Sequence, residues 1–186
     1  EGWQRQFSPE EMGGLARGFT HNRSTSFNIT PGIKGVFGDG DKWAYEVAFN
    51  HAEYRSKVRF PQIIASAANK FFLGDSLGID PDSGLAIFAV GENADRLYKP
   101  LTPAEYDQIA QHAVYEPRSR TDNLSASLTN SALFELPAGP VGFAAVVEAG
   151  NQGYELNPDP LALVPFYVGL IDSDGKGDRD HWGAGY

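Results

Sequence analysis

Apolar and polar side chains alternate along several stretches of this chain with the period of two that a strand requires. In WAYEVAFNH, residues 43–51, Trp43, Tyr45, Val47 and Phe49 share one side, and Ala44, Glu46, Ala48 and Asn50 the other. Beyond them the odd positions turn polar: His51, Glu53, Arg55, Lys57 and Arg59. A second alternation places Leu124, Ala126, Leu128, Asn130, Ala132, Phe134 and Leu136 together, opposite mostly Ser, Thr, Asn or Glu. After the turn Pro137–Pro140, Val141, Phe143, Ala145, Val147 and Ala149 form a third apolar row. The pattern predicts strands over about 19–37, 43–59, 118–136 and 141–155, with another beginning near 181–186. The tight turn GDGD at 38–41 joins the first two.

Residues 60–117 read differently. Ile63, Ile64, Ala67, Ala68 and Phe71 recur at helical spacing, and Gly74 is placed to end that helix. Thr102, Pro103 and Glu105 make a capping box, followed by the apolar stripe Tyr106, Ile109, Ala110 and Ala113. Ser8, Pro9 and Glu11 announce a short helix that Gly13 and Gly14 should stop. A helical excursion thus separates two β-rich halves, and the fold class is mainly β, built of antiparallel hairpins.

Composition sharpens this reading. With 21 Gly, 12 Pro and 12% aromatic residues against a single Met, strands and turns are favoured over a helical bundle. A formal charge of −9 disfavours general nucleic-acid binding, because a phosphate backbone would be repelled. There is no cysteine, hence no disulfide or thiolate metal site. No apolar run reaches the roughly 18 residues of a membrane helix. The start at Glu1 and the strand-like ending HWGAGY suggest a segment of something larger.

Alternation alone cannot say whether the apolar rows face a second sheet or lipid. Short turns on one side and a long connection on the other favour the wall of an outer-membrane barrel, with helices in its extracellular loops. The stretches RLYKPLTPAEYDQI, LFELPAGPVGFAAVVEAGNQGYELNPDP and HAEYRSKVRFPQIIASAANKFFLG resemble the barrel portion of bacterial TonB-dependent outer-membrane receptors, from about Arg23 to Tyr186. The resemblance implies an outer-membrane location, a barrel of about 22 strands closed by an N-terminal plug, and TonB-driven uptake of iron chelates, cobalamin or glycans. Neither plug nor TonB box is matched here, so TonB would act only through a region outside these residues. A small or glycan ligand and outer-membrane lipid are the expected partners, without nucleic acid. So few strands cannot close a barrel, and dimerisation, strand exchange or a soluble rearrangement would be needed to cover open edges in an isolated fragment.

If the topology carries over, Arg55, Lys57, Arg59, Arg118 and Arg120 stand above the lipid band. There they are candidates for contact with lipopolysaccharide phosphates, for which Arg and Lys are suited. A solvated basic rim is the plain alternative. Two further motifs carry possible chemistry. DSDGKGDRD gathers Asp172, Asp174, Asp178 and Asp180, which suggests calcium as the one possible cofactor, although the spacing departs from an EF-hand and Lys176 intervenes. GDSLG at 74–78 resembles a Gly-Asp-Ser-Leu hydrolase block, with Ser76 as nucleophile, Asn93 as oxyanion donor, and Asp178 and His181 as triad partners. The serine follows a helix rather than a strand, and Asn93 comes too soon. The main reading is therefore non-enzymatic, with a soluble hydrolase or a soluble β-rich binding module as alternatives. His21, His51, His112 and His181 form no ligand set by spacing, and the Asn-x-Ser/Thr triplets at Asn22, Asn28 and Asn123 matter only in a eukaryotic secretory protein.

Overall fold

A computed structural model describes residues 4–93 and 95–186 of the chain. In chain order its labelled elements are α1 (Pro9–Met12), β1 (His21–Ile29), β2 (Gly32–Phe37), β3 (Trp43–Ile63), α2 (Ala65–Leu73), β4 (Ser76–Ile79), β5 (Ala86–Phe88), α3 (Pro103–Ile109), β6 (Ala110–Tyr115), β7 (Arg118–Leu136), β8 (Gly139–Glu155) and β9 (Lys176–Gly185). The chain is mainly β, 54% strand against 18% helix, and its antiparallel sheet is not closed. The described residues fall into two compact bodies. A sheet body holds Ser24–Ser56, Pro117–Asn157 and Gly175–Tyr186; a helical body holds Lys57–Glu116, Pro158–Asp174 and the residues up to Arg23.

In the sheet body the strand order is β1–β3–β7–β8–β9, with β2 also on β3. The stretch expected as one strand over 19–37 forms two, β1 and β2, broken at Thr30-Pro31. Proline has no N–H to give a ladder, so the break falls there. The GDGD turn is a short 3-10 turn in which Gly40 and Asp41 take positive φ, 67° and 53°. Strands β7 and β8 form the LPAGPVG hairpin, with Gly139 at φ 129°. Their register is regular except between Asn130 and Phe134, where four residue steps on β7 face two on β8, from Phe143 to Val141.

The helical body is built from capped helices. In α1 and α3 both bonds of the expected capping box are present, Ser8 with Glu11 and Thr102 with Glu105. Helix α2 ends at Gly74, whose φ of 86° favours a residue without a side chain. The expected helical stripe through Ala110 and Ala113 is corrected: α3 stops at Ile109, Ala110 is already extended at φ −128°, and Ala113 lies in β6. Strand β6 pairs with Val58–Ile63, which carries β3 past the expected end at 59. Ala68, Phe72, Leu101 and Ile109 form one buried core cluster; Ala113, Ala162 and Tyr167 form another.

Candidate functional site

The cross-strand registers of the sheet body put its apolar residues into continuous rows, because partners in an antiparallel ladder share a face. Phe37, Trp43, Asn130 and Phe143 are aligned; next come Tyr45, Leu128 and Ala145; then Ile33, Val47, Ala126, Val147 and Ala184; then Phe49, Leu124, Ala149 and Trp182. None of the buried hydrophobic side chains belongs to this body, and Leu124, Val147 and Trp182 are 50%, 54% and 84% exposed. The apolar face therefore has no covering layer within the described residues of the sheet body.

The opposite face carries Ser119, Thr121, Asn123, Ser125 and Ser127 of β7, Glu148, Gly150 and Gln152 of β8, and Arg179 and His181 of β9. There Arg179 Nη2 donates to Gln152 Oε1 at 3.1 Å, and Asn50 Nδ2 donates to Asn28 Oδ1 at 3.1 Å and Thr30 Oγ1 at 2.7 Å. One face is thus hydrocarbon and the other a field of hydrogen-bonding groups.

Both ends of the apolar face are marked. At the turn end the Phe37 and Trp43 rings stack with centroids 6.0 Å apart, and Trp43 meets Phe143 edge-on at 6.0 Å. Asn130 is flanked by those two residues in the register and is 4% exposed, its Oδ1 accepting the N–H of Ala132 at 2.8 Å. At the other end the rows become ionic. His51 Nδ1 lies 2.6 Å from Asp122 Oδ1, and Asn151 Nδ2 donates to Asp180 Oδ1 at 2.7 Å. Beyond them come Glu53, Arg120 and Asp178, then Arg55, Arg118, Glu155 and Lys176.

The five cations expected to meet phosphate divide between the two bodies, Arg55, Arg118 and Arg120 in the sheet body and Lys57 and Arg59 in the helical body. In the sheet body Glu53 accepts from Arg55 Nε at 2.7 Å and from Arg118 Nε at 2.6 Å, which ties those two together. Arg120 lies across Gly153, and a groove of about 390 Å³ opens beside Arg118, Glu155, Lys176 and Asp178. In the helical body Lys57 is 2.5 Å from Glu116, while Arg59 makes no ion pair among the described residues. The carboxylates flanking these cations, Glu53 and Glu116, are brought to them by strand register, which the sequence alone does not specify.

Of the candidate calcium ligands, Asp172 Oδ1 accepts the N–H of Ser173 at 2.8 Å, and Asp180 is engaged by Asn151. Asp172 and Asp174 belong to the helical body, Asp178 and Asp180 to the sheet body. No group of three His, Cys, Asp or Glu converges among the described residues. The hydrolase arrangement lacks its relay. Asp178 pairs with Gly153 and His181 with Gly150, positions on opposite faces of β9, so the carboxylate and imidazole cannot meet. His181 Nδ1 is sheltered and has no partner among the described residues, where a triad histidine would donate to its aspartate. Ser76 is the first residue of β4, paired with Phe88, and its Oγ accepts the N–H of Gly78 at 3.4 Å.

Trp182 and Ala184 of β9, and Ile33 of β2, complete the apolar rows, although the sequence around them carries no such period. HWGAGY is too short to display a period, and Ile33 is flanked by glycine and lysine. No helix of the described residues is long and apolar enough to cross a membrane, which leaves open a crossing by strands. Comparison with protein-family models, with curated proteins and with solved structures finds no match.

Proposed function

We propose that this chain forms part of the wall and extracellular loops of a bacterial outer-membrane receptor of the TonB-dependent kind, non-enzymatic, taking up a small-molecule or glycan nutrient. The observation that carries the membrane reading is the alignment, by register, of the apolar residues of β2, β3, β7, β8 and β9 into one uncovered face. The sequence resemblance supplies the receptor class. Strands of 21, 19 and 17 residues exceed the roughly 9–11 that cross a bilayer, so they would continue into the ionic rim above it. The row from Val141 to Ala149 measures about 27 Å along the strand at about 3.3–3.4 Å per residue. Tilted by about 40°, it rises about 20 Å, close to the apolar band of roughly 25 Å of such barrels. Aromatic residues stand at both edges of the rows, Phe37, Trp43 and Phe143 at one and Phe49 and Trp182 at the other, as the two girdles of a barrel wall would.

In this reading Arg55, Lys57, Arg59, Arg118 and Arg120 contact lipopolysaccharide phosphates, and retention of lipopolysaccharide binding after all five charges are reversed would remove that assignment. The membrane reading is tested through the absence of native cysteine. Single cysteines at Leu124, Val147, Ser125 and Ser127, labelled with a polarity-sensitive dye in outer membranes, should divide by parity. The first two should emit in the blue and be quenched by spin-labelled acyl chains. Equal quenching at all four positions sinks the barrel-wall assignment.

A further inference from the structure

A guanidinium offers five N–H donors in a planar fork that matches a carboxylate. In Arg96 that fork is held in place and left unused. Its Cζ lies over the Phe71 ring, 4.6 Å from the centroid, a cation–π contact that lays the group against α2. The backbone beneath is tied on both sides. The Arg96 N–H donates to the Asn93 carbonyl at 2.9 Å, and its carbonyl accepts at 2.8 Å from Nη1 of Arg5, a buried arginine that Glu11 neutralises. Arg96 itself is exposed, and its side chain makes no hydrogen bond or ion pair among the described residues. The Glu105 carboxylate senses this charge but accepts instead from the N–H and hydroxyl of Thr102, each at 2.8 Å.

Arg96 and Phe71 line a cavity of about 490 Å³ within the helical body, in the size range of small-molecule sites. Because the guanidinium rests on a ring that itself lines the cavity, its charge stands at the cavity wall and is open to solvent. Ala67 and Phe71 supply apolar wall, and Asn93 and Gln108 add two side-chain amides that have no partner among the described residues. Lys70 lines the same cavity 3.3 Å from Asp75, so the carboxylate among the described lining residues already has its cation. What is missing is an anion for Arg96, and the apolar wall calls for one that carries a hydrocarbon body.

We propose that this cavity binds a small organic carboxylate, whose oxygens take the Arg96 fork while its apolar body lies along Ala67 and Phe71. The site stands on the helical body alone and does not rest on the barrel-wall reading. The test titrates 2-naphthoate and its neutral isostere 2-naphthamide into the full chain, followed by probe fluorescence, with uptake by any carrier membrane subtracted. Saturable binding of the carboxylate, at least tenfold tighter than that of the amide, is expected. Arg96→Met, which keeps an apolar stem on Phe71 and removes the fork, should bring the affinity for the carboxylate down to that for the amide. Equal affinity for the two probes overturns the proposal, as does undiminished carboxylate binding by folded Arg96→Met or no saturable binding of the carboxylate. The probe pair decides the matter on the unaltered chain even if the variant does not fold.

Discussion

Phe72 in α2 and Val147 in β8 are both apolar side chains on regular elements, yet the first is fully buried and the second is 54% exposed. The difference runs through the two bodies. The helical body gathers Ala68, Phe72, Leu101 and Ile109 into a core that excludes solvent from within the same polypeptide. The sheet body lines up comparable side chains and fully buries none of them. A helical stripe finds its partner in a neighbouring helix or strand, whereas a single sheet has two faces and must have each matched by some medium. The contrast teaches that one chain can bury its apolar side chains in one body and leave them without a core in another.

The largest expected effect tests the buried side of the contrast. Phe72→Ala should cost about 3–5 kcal/mol in denaturant unfolding, through lost burial and the void left behind. Truncation of the exposed Phe134 to Ala should change the same transition by about 0.5 kcal/mol or less in water. Equal losses would mean that the sheet face is covered after all.

Glu11→Gln should cost the helical body about 3 kcal/mol, because Arg5 would keep its buried charge without a counter-ion. The pH dependence gives a second reading of this site. Burial works to raise the Glu11 carboxyl, but bonds from the N–H groups of Ser8 and Leu101 and from Arg5 outweigh it and hold the group below its usual 4.5. Its contribution is therefore complete above that value and is lost as pH falls through the depressed one. A pH series of unfolding midpoints should show this acid loss in the native chain and not in Glu11→Gln.

A charge scan sharpens the other half. Ala126→Arg, on the apolar face, should cost about 2–4 kcal/mol in bilayers, and the neighbouring Ser125→Arg close to nothing. Refolding titrations into lipid vesicles measure both. The smallest effect is local: Thr102→Ala removes the cap of α3 and should cost about 1 kcal/mol, seen as a lower melting temperature without loss of the sheet.

Much of this was readable from residues close together in sequence. The capping boxes at Ser8 and Thr102, the stop at Gly74 and the period-two rows of β3, β7 and β8 are local signals, and local physics decides them. What failed was decided at a distance. Ala110 and Ala113 continue a helical period, but pairing with Val58–Ile63 draws them into β6. The charge list at Arg55 and Arg118 looked like a cationic patch until register brought Glu53 between them. Asp178 and His181 looked like triad partners in a linear string, and only strand geometry sends them to opposite faces. The cavity beside Arg96 gathers Phe71, Asn93 and Gln108 from separate stretches of the chain, and no motif joins them.

The irregularity between Asn130 and Phe134 has a consequence for how such a strand can change length. Because the surplus on β7 is an even number of residues, Phe134 meets Val141 and Leu136 meets Gly139 with the same outlook as Leu124 and Leu128 further along. A surplus of one would have turned Phe134 and Leu136 inside out. Insertions or deletions in this hairpin should therefore be tolerated in pairs and rejected singly, with Asn130 acting as the clip that gathers the slack.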